Sequence, residues 1–111
     1  MNDNNVVIEF KWPWTMIPLE YADEWTDLIK GWLKKSDSIY GKDIFPSARR
    51  EDKKSILLDI DDDGSYAIIT FEEESGYRRR PNKFQIELLL TSNDVIRRIE
   101  RDHAEALEKY K

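Results

Sequence analysis

The sequence predicts an α+β domain in which two helices pack on one face of an antiparallel sheet. Four segments carry apolar residues at every second position, the period of half-buried strands. Two further segments carry them with the spacing of an amphipathic helix. The length of 111 residues suits one domain, and we predict a single α+β domain over residues 1–111 in the order β-α-β-β-β-α.

The N-terminal third of the chain predicts an edge strand followed by a helix. Residues 6–12 alternate, and the side chains on one side are Val6, Ile8, Phe10 and Trp12. Pro18 suits the first turn of a helix, where its missing N–H is not needed. Residues 19–35 form an amphipathic helix with acidic residues early and lysines late, an order that complements the helix dipole. Its apolar stripe is Tyr21, Trp25, Leu28 and Trp32, with Ala22, Ile29 and Leu33 beside it.

The middle of the chain predicts a β-hairpin. Residues 55–60 and 66–72 are apolar strands on either side of Asp63-Gly64, a pair that favours a two-residue turn. Such a turn brings apolar residues together on one face of the hairpin, so the pattern and the turn agree on the register. The predicted pairs are Ile60 with Ala67, Leu58 with Ile69, and Ile56 with Phe71.

The remaining segments complete the predicted order. Residues 36–54 show no clear period, and we expect a loop that Ile44 and Phe45 attach to the core. Residues 83–90 form the last strand, and the stretch from Thr91 to Asp94 has the form of a capping box before the second helix. The inward residues of this strand are predicted to be Phe84, Ile86, Leu88 and Leu90, and the helix stripe to be Ile96, Ile99, His103, Ala106 or Leu107, and Tyr110.

The composition and motifs argue against several classes of function. Lysine and arginine number 18 against 23 acidic residues, and the net charge of −5 argues against a general nucleic-acid binder. The absence of cysteine excludes thiolate chemistry, and the one histidine, His103, has no second histidine or nucleophile motif to act with. No glycine-rich phosphate loop is present. We therefore expect no enzymatic activity, no cofactor and no metal.

Acidic residues cluster in the predicted hairpin. Asp59-Ile60-Asp61-Asp62-Asp63-Gly64 matches the opening of a calcium loop, but Thr70 stands where the loop requires a bidentate glutamate, so a hairpin turn is the better interpretation. Like charges at one tip repel one another, and they favour contact with a basic partner. The candidate partner-binding residues are Asp59, Asp61, Asp62, Asp63, Glu72, Glu73 and Glu74, with Trp14 and Tyr77 as apolar anchors.

Structural explanations for the same residues stay open. The aspartates of the turn also serve solubility, and Glu72-Glu73-Glu74 can pair with the arginines at 78–80 across a second turn. Trp14 can close one end of the core, and His103 fits a position at the edge of the core. The sequence begins without a basic leader, and no apolar run approaches about 18 residues, so we expect neither a signal peptide nor a membrane span.

With its acidic hairpin, its Glu72-Glu73-Glu74 run and its Trp12-Pro13-Trp14 segment, the whole chain resembles the small immunity proteins of bacterial toxin systems, including those of contact-dependent growth inhibition. The resemblance is to the class, whose members share no single fold. It implies a cytoplasmic antitoxin that binds one cognate toxin, such as a nuclease, through an acidic face and has no catalysis of its own. The alternatives are a phage or bacterial inhibitor, an adaptor, a small-ligand module and an enzyme of unknown chemistry.

Overall fold

A five-stranded antiparallel sheet in the order β1-β2-β3-β4-β5 organises the chain. The computed structural model describes residues 8–72 and 83–109. The strands are β1 (Trp14–Met16), β2 (Ile44–Arg50), β3 (Ser55–Ile60), β4 (Ser65–Phe71) and β5 (Phe84–Leu89), and the helices are α1 (Leu19–Trp32) and α2 (Ser92–Lys109). The predicted α+β class with an antiparallel sheet is confirmed.

The two N-terminal strands differ from the prediction. The first strand lies after Pro13, at Trp14–Met16, whereas residues 8–11 form no strand. Ile8 and Phe10 nevertheless pack on the core. Their alternation therefore reflects burial, although these residues belong to no strand. The strand β2 was predicted as a loop because Pro46 removes a backbone donor and argues against a strand interior. Pro46 is tolerated because it lies at an irregularity of the strand.

That irregularity is a β-bulge. The pairing of β2 with β3 shifts register between Pro46 and Ala48, which makes Ser47 the extra residue. Ile44, before the bulge, packs on the side of the sheet that α1 covers, whereas Ala48, after it, packs on the opposite side. The bulge therefore exchanges the faces to which alternate β2 side chains point.

The helices lie on opposite faces of the sheet, so the prediction that both share one face is wrong. One cluster joins Ile29 and Trp32 of α1 to the sheet, and the other joins Val95 and Ile99 of α2 to it. The strand β3 supplies both clusters, with Ile56, Leu58 and Ile60 on the α1 face and Leu57 on the α2 face. A central strand that is buried on both sides needs a layer on each face.

The β3–β4 hairpin forms as predicted, but with a longer connection. Ile60 pairs with Ser65, and Leu58 pairs with Ala67, a shift of two residues from the predicted register. The connection is the four-residue loop 61–64, in which Gly64 has a φ of 74° and donates its N–H to the carbonyl of Ile60 at 3.0 Å. Because side chains alternate with period two, this shift leaves every apolar residue on its predicted face.

The helices and the last strand also differ in detail. The helix α1 begins at the predicted Leu19 and ends three residues early, at Trp32. The buried stripe of α2 is Ser92, Val95, Ile99, Asp102 and Ala106, rotated from the predicted one, and Leu88 and Leu90 are exposed instead of inward. Among residues 8–72 and 83–109, no helix combines the length and apolarity needed to cross a bilayer.

Substitutions of two glycines test the backbone conformation of α1 and of the loop 61–64. Gly31 lies in the last turn of α1 with nothing within 4 Å of an added Cβ, so Gly31→Ala should raise the free energy of unfolding by at most about 0.5–1 kcal/mol. Gly64 has equal space but a positive φ, so Gly64→Ala should lower it by about 1–2 kcal/mol. Urea denaturation of both variants measures the difference. Equal effects of the two substitutions would contradict the loop conformation.

Candidate partner-binding surface

The loop between β3 and β4 forms an acidic turn that is attached to the chain segment before β2. The carboxylate of Asp62 accepts the backbone N–H of Asp43 at 2.9 Å, and the N–H of Asp61 donates to the carbonyl of Asp43 at 3.0 Å. Asp63 accepts the N–H of Ser65 at 3.1 Å and its hydroxyl at 2.6 Å. These contacts fix the turn and bring the acidic residues 43 and 61–63 to one end of the sheet, which we call the acidic end.

Only one carboxylate of the acidic end has a cation as partner among the described residues. Lys42 donates to Asp63 at 3.2 Å. Hydrogen bonds from the Ser65 side chain and backbone, followed by that of Lys42, lower the pKa of Asp63 to about 2. The exposed carboxylate of Asp61 has no hydrogen bond or ion pair within the described part of the chain. The negative charge predicted for this turn is therefore largely uncompensated.

Asp59 lies apart from this turn, half-buried on the α2 face of the sheet. Desolvation raises its pKa, a hydrogen bond from Ser47 opposes that effect, and the neighbouring charge of Asp61 adds to it. The Ser47 hydroxyl lies 3.1 Å from Oδ1 of Asp59. Within residues 8–72 and 83–109, this carboxylate has no cationic partner. Asp59 is therefore a half-buried carboxylate two residues before Asp61 of the acidic end.

Trp14 is not available to a partner, so its predicted role as an exposed anchor is wrong. Its side chain is 3% exposed and packs with Ala48 and Ile99 on the α2 face. Its indole Nε1 donates to Oδ2 of Asp102 at 2.9 Å. Pairing with β2 draws Trp14 under α2, which agrees with the alternative that Trp14 closes one end of the core.

The predicted glutamate run is only partly described. Glu72 is exposed at the end of β4, and its backbone N–H donates to the carbonyl of Lys83 at 3.1 Å. Glu73, Glu74 and Tyr77 lie outside the described residues, as do the arginines of 78–80 with which we predicted a charge ladder. Their roles stay predictions from the sequence.

A buried ion cluster is the feature that sequence reasoning missed. Asp102 is 1% exposed, and Arg50 Nη1 and Arg98 Nε lie 3.5 Å and 3.3 Å from its Oδ2. Arg50 also binds Asp52 through two hydrogen bonds of 2.8 Å. The spacing of Val95, Ile99, Asp102 and Ala106 contained the signal, but a charged residue was not expected on the inner face of the helix.

His103 lies at the edge of this cluster. It is half-buried, and its Nδ1 is 2.6 Å from the carbonyl oxygen of Trp12. This contact attaches the segment before β1 to α2, as does the ion pair of 3.0 Å between Lys11 and Glu100. Within the described residues, no group of three or more potential ligands is arranged to hold a metal ion. His103 therefore occupies the predicted position at the edge of the core.

Apolar side chains flank the acidic end. Leu88 and Leu90 are 49% and 73% exposed, and they line a cavity of about 240 Å³ together with Asp63 and Lys42. On the α2 face, Asp59 lines a second cavity of about 300 Å³ with Phe45 and Tyr66. Exposed apolar side chains next to charged ones are the combination found in protein interfaces, in which apolar residues form the core and polar residues the rim.

Comparisons with protein-family models, with curated proteins and with solved structures give no match to this chain.

The substitution Asp102→Ala tests how much the ion cluster contributes to stability. Asp102→Ala removes the carboxylate that Arg50 and Arg98 share, although these arginines keep Asp52 and Glu87 as partners. It also leaves the buried Nε1–H of Trp14 without its acceptor, and we expect a loss of about 1–3 kcal/mol in unfolding free energy. Glu105→Ala, on the exposed side of the same helix, is the control and should change it by no more than about 0.5 kcal/mol. Chemical denaturation measures both, and a loss below about 1 kcal/mol for Asp102→Ala would contradict the assignment.

Asp59 and Asp63 should show opposite effects of pH on stability. The pKa of Asp63 is lowered on folding, so its contribution is present above the unfolded value of 3.8 and is lost as the pH falls towards about 2. The pKa of Asp59 is raised on folding, so its charge destabilises the protein once the pH rises from 3.8 through the folded pKa.

The test compares Asp59→Asn and Asp63→Asn with the parent protein by urea denaturation between pH 2 and pH 7. Relative to the parent, Asp59→Asn should gain stability as the pH rises. Asp63→Asn should lose it over the window below pH 3.8, because only the parent carboxylate gains favourable interactions there. Parallel pH profiles for the two variants would show that the environments of these carboxylates are wrongly described.

Proposed function

We propose that this protein is an immunity protein, which binds a basic protein toxin in the cytoplasm and neutralises it by covering a cation-rich surface of that toxin. The observation that carries the proposal is the uncompensated charge of the acidic end. Asp43, Asp61, Asp62 and Asp63 are all exposed there, and Lys42 is the cation bound to them within the described residues. A negative surface of this kind attracts a positively charged cleft, as in a toxin that binds phosphate groups.

The rigidity of the acidic end supports the same function. Asp62 and Asp63 hold the turn through hydrogen bonds to Asp43 and Ser65, so the exposed oxygens are already in place before a partner arrives. Groups that are ordered in the free protein lose less conformational entropy on binding. Leu88 and Leu90 supply exposed apolar area beside this charge, the contribution that the sequence analysis assigned to Trp14.

A second acidic surface lies on α1. Glu20, Asp23, Glu24 and Asp27 are exposed with the spacing of one helix face. Their position in the first half of the helix lets them stabilise the helix dipole, which explains them without a partner. The acidic end is favoured as the binding surface because it combines fixed carboxylates with a cavity that Asp63 lines together with Leu88 and Leu90.

The experiment is affinity capture of the partner from the source cells with the full chain as bait, followed by binding kinetics with the purified partner. The proposal requires a basic toxin whose activity the protein inhibits. Asp61→Asn, Asp62→Asn and Asp63→Asn combined should slow association about tenfold or more at low salt and flatten its salt dependence. Asparagine keeps an acceptor oxygen at each position, so the turn is retained.

The matched control removes the same number of charges from α1, through Asp23→Asn, Glu24→Gln and Asp27→Asn combined. Both triple variants carry the same net charge, so a difference between them isolates the location of the lost charges. We expect the α1 variant to associate within about twofold of the parent at each salt concentration, because its charges belong to α1 and not to the β3–β4 loop. Equal slowing by the two variants would contradict the role of the acidic end, and a captured partner that keeps its activity would contradict immunity.

A further inference from the structure

The cavity that contains Asp59 is an apolar groove on the α2 face of the sheet, which we call the Asp59 groove. It measures about 300 Å³. Ile8 and Phe10 lie along it, Phe45 and Tyr66 line it from β2 and β4, and Asp59 belongs to β3. The register places Asp59 opposite Phe45 on one side and opposite Tyr66 on the other, so the carboxylate is flanked by two aromatic residues in one row of the sheet.

The Asp59 carboxylate is only partly satisfied within this groove. The Ser47 hydroxyl lies 3.1 Å from Oδ1, and Oδ2 has no partner among the described residues. A carboxylate that is partly removed from water loses part of its hydration free energy. A bound cation offsets part of that loss. The groove therefore offers a charged acceptor surrounded by apolar surface, the environment that suits an ammonium or guanidinium group on an apolar stem.

The mouth of the groove indicates the size of the occupant. Met16 and Leu19 line the groove and are 67% and 77% exposed, so apolar surface continues from the groove on to the outside of the protein. A small cation would fill the groove and leave that surface in water. A side chain of a protein partner would enter the groove while its apolar neighbours cover Met16 and Leu19. Exposed apolar patches of this kind mark interaction sites.

We infer that the Asp59 groove receives one lysine or arginine side chain of the protein partner, with apolar residues beside it in the partner's sequence. The inference rests on the proposed function, because Asp59 precedes Asp61 of the acidic end by two residues, so one basic partner can contact both. The acidic end attracts the basic partner, and the groove binds one of its cationic side chains. The charge at Asp59 is then retained for binding although burial makes it unfavourable in the free protein.

The bulge at Ser47 supports this assignment. Ser47 is the extra residue of β2, and its hydroxyl also lies 3.4 Å from the carbonyl of Leu57, so the bulge directs this side chain to the floor of the groove. Its backbone carbonyl accepts the N–H of Ile17 at 3.0 Å, which attaches the segment between Met16 and Leu19 beside the groove. Bulges occur frequently at sites where a side chain must be redirected.

The test uses two blocked tripeptides as probes, one with arginine between two leucines and one with uncharged citrulline in place of arginine. Titration of the isotope-labelled full chain, followed by amide NMR, should show shifts at Ser47, Asp59 and Tyr66 with the arginine peptide. The citrulline peptide should bind at least tenfold more weakly. Asp59→Asn should weaken the arginine peptide by at least tenfold, whereas Glu105→Gln, which removes an exposed charge from α2, should weaken it by no more than about threefold.

Two further measurements keep the inference open to contradiction. Butylguanidinium supplies the cation without apolar neighbours, and it should bind at least tenfold more weakly than the arginine peptide. Met16→Ser should weaken the arginine peptide but leave butylguanidinium unchanged. Equal binding of the two tripeptides would overturn the role of charge. Equal binding of butylguanidinium and the arginine peptide would show a site for small cations, and an absence of shifts in the groove would overturn the site itself.

These results separate the inference from the function on which it depends. A captured toxin that associates slowly with the triple variant of the acidic end, but binds Asp59→Asn with full affinity, would leave the proposed function in place and overturn the groove. Binding of the arginine peptide through Asp59, with no basic toxin captured by the parent protein, would show that the proposed function is the part that fails.

Discussion

The buried carboxylate of Asp102 is the interaction on which the arrangement of this protein depends. It lies on the inner face of α2 and is bound by Trp14 of β1, Arg50 of β2 and Arg98 of its own helix. A buried charge is costly unless all of these partners are in place. The cluster therefore fixes where α2 crosses the sheet. The Asp59 groove lies on the same face of the sheet, where Phe45 of β2, Asp59 of β3 and Tyr66 of β4 line it.

A single extra residue in β2 makes both features possible. Without the bulge at Ser47, strict alternation along β2 would place Ala48 and Arg50 on the face of the sheet that α1 covers, away from Asp102. With it, Phe45 points to the groove and Arg50 points to the ion cluster on the same face, although they are five positions apart along the chain. The structural core and the candidate binding groove of the α2 face thus share one local feature.

The sequence predicted those features that depend on local periodicity. The bounds of β3 and the start of α1 agree with the structure, because the alternation from Ile56 to Ile60 and the helical spacing after Pro18 are strong signals. The predicted register of the β3–β4 hairpin was wrong by two residues. An alternating pattern cannot detect such a shift, because the same side chains stay on the same face. The bulge and the position of Asp102 required knowledge of non-local contacts. The acidic turn was predicted, whereas the groove became visible only when Asp59, Phe45 and Tyr66 came together in one row of the sheet.

The carboxylates beside the β3–β4 loop divide into two kinds with different physical effects. Asp63 gains hydrogen bonds on folding, which its lowered pKa reflects, and its charge contributes to the stability of the turn. Asp59 loses hydration on folding, its pKa rises, and its charge opposes folding. An asparagine at position 59 would accept the same hydrogen bond from Ser47 without the unfavourable charge. Stability alone therefore favours an amide at this position, and the cationic side chain that we propose for the partner would account for the carboxylate of Asp59.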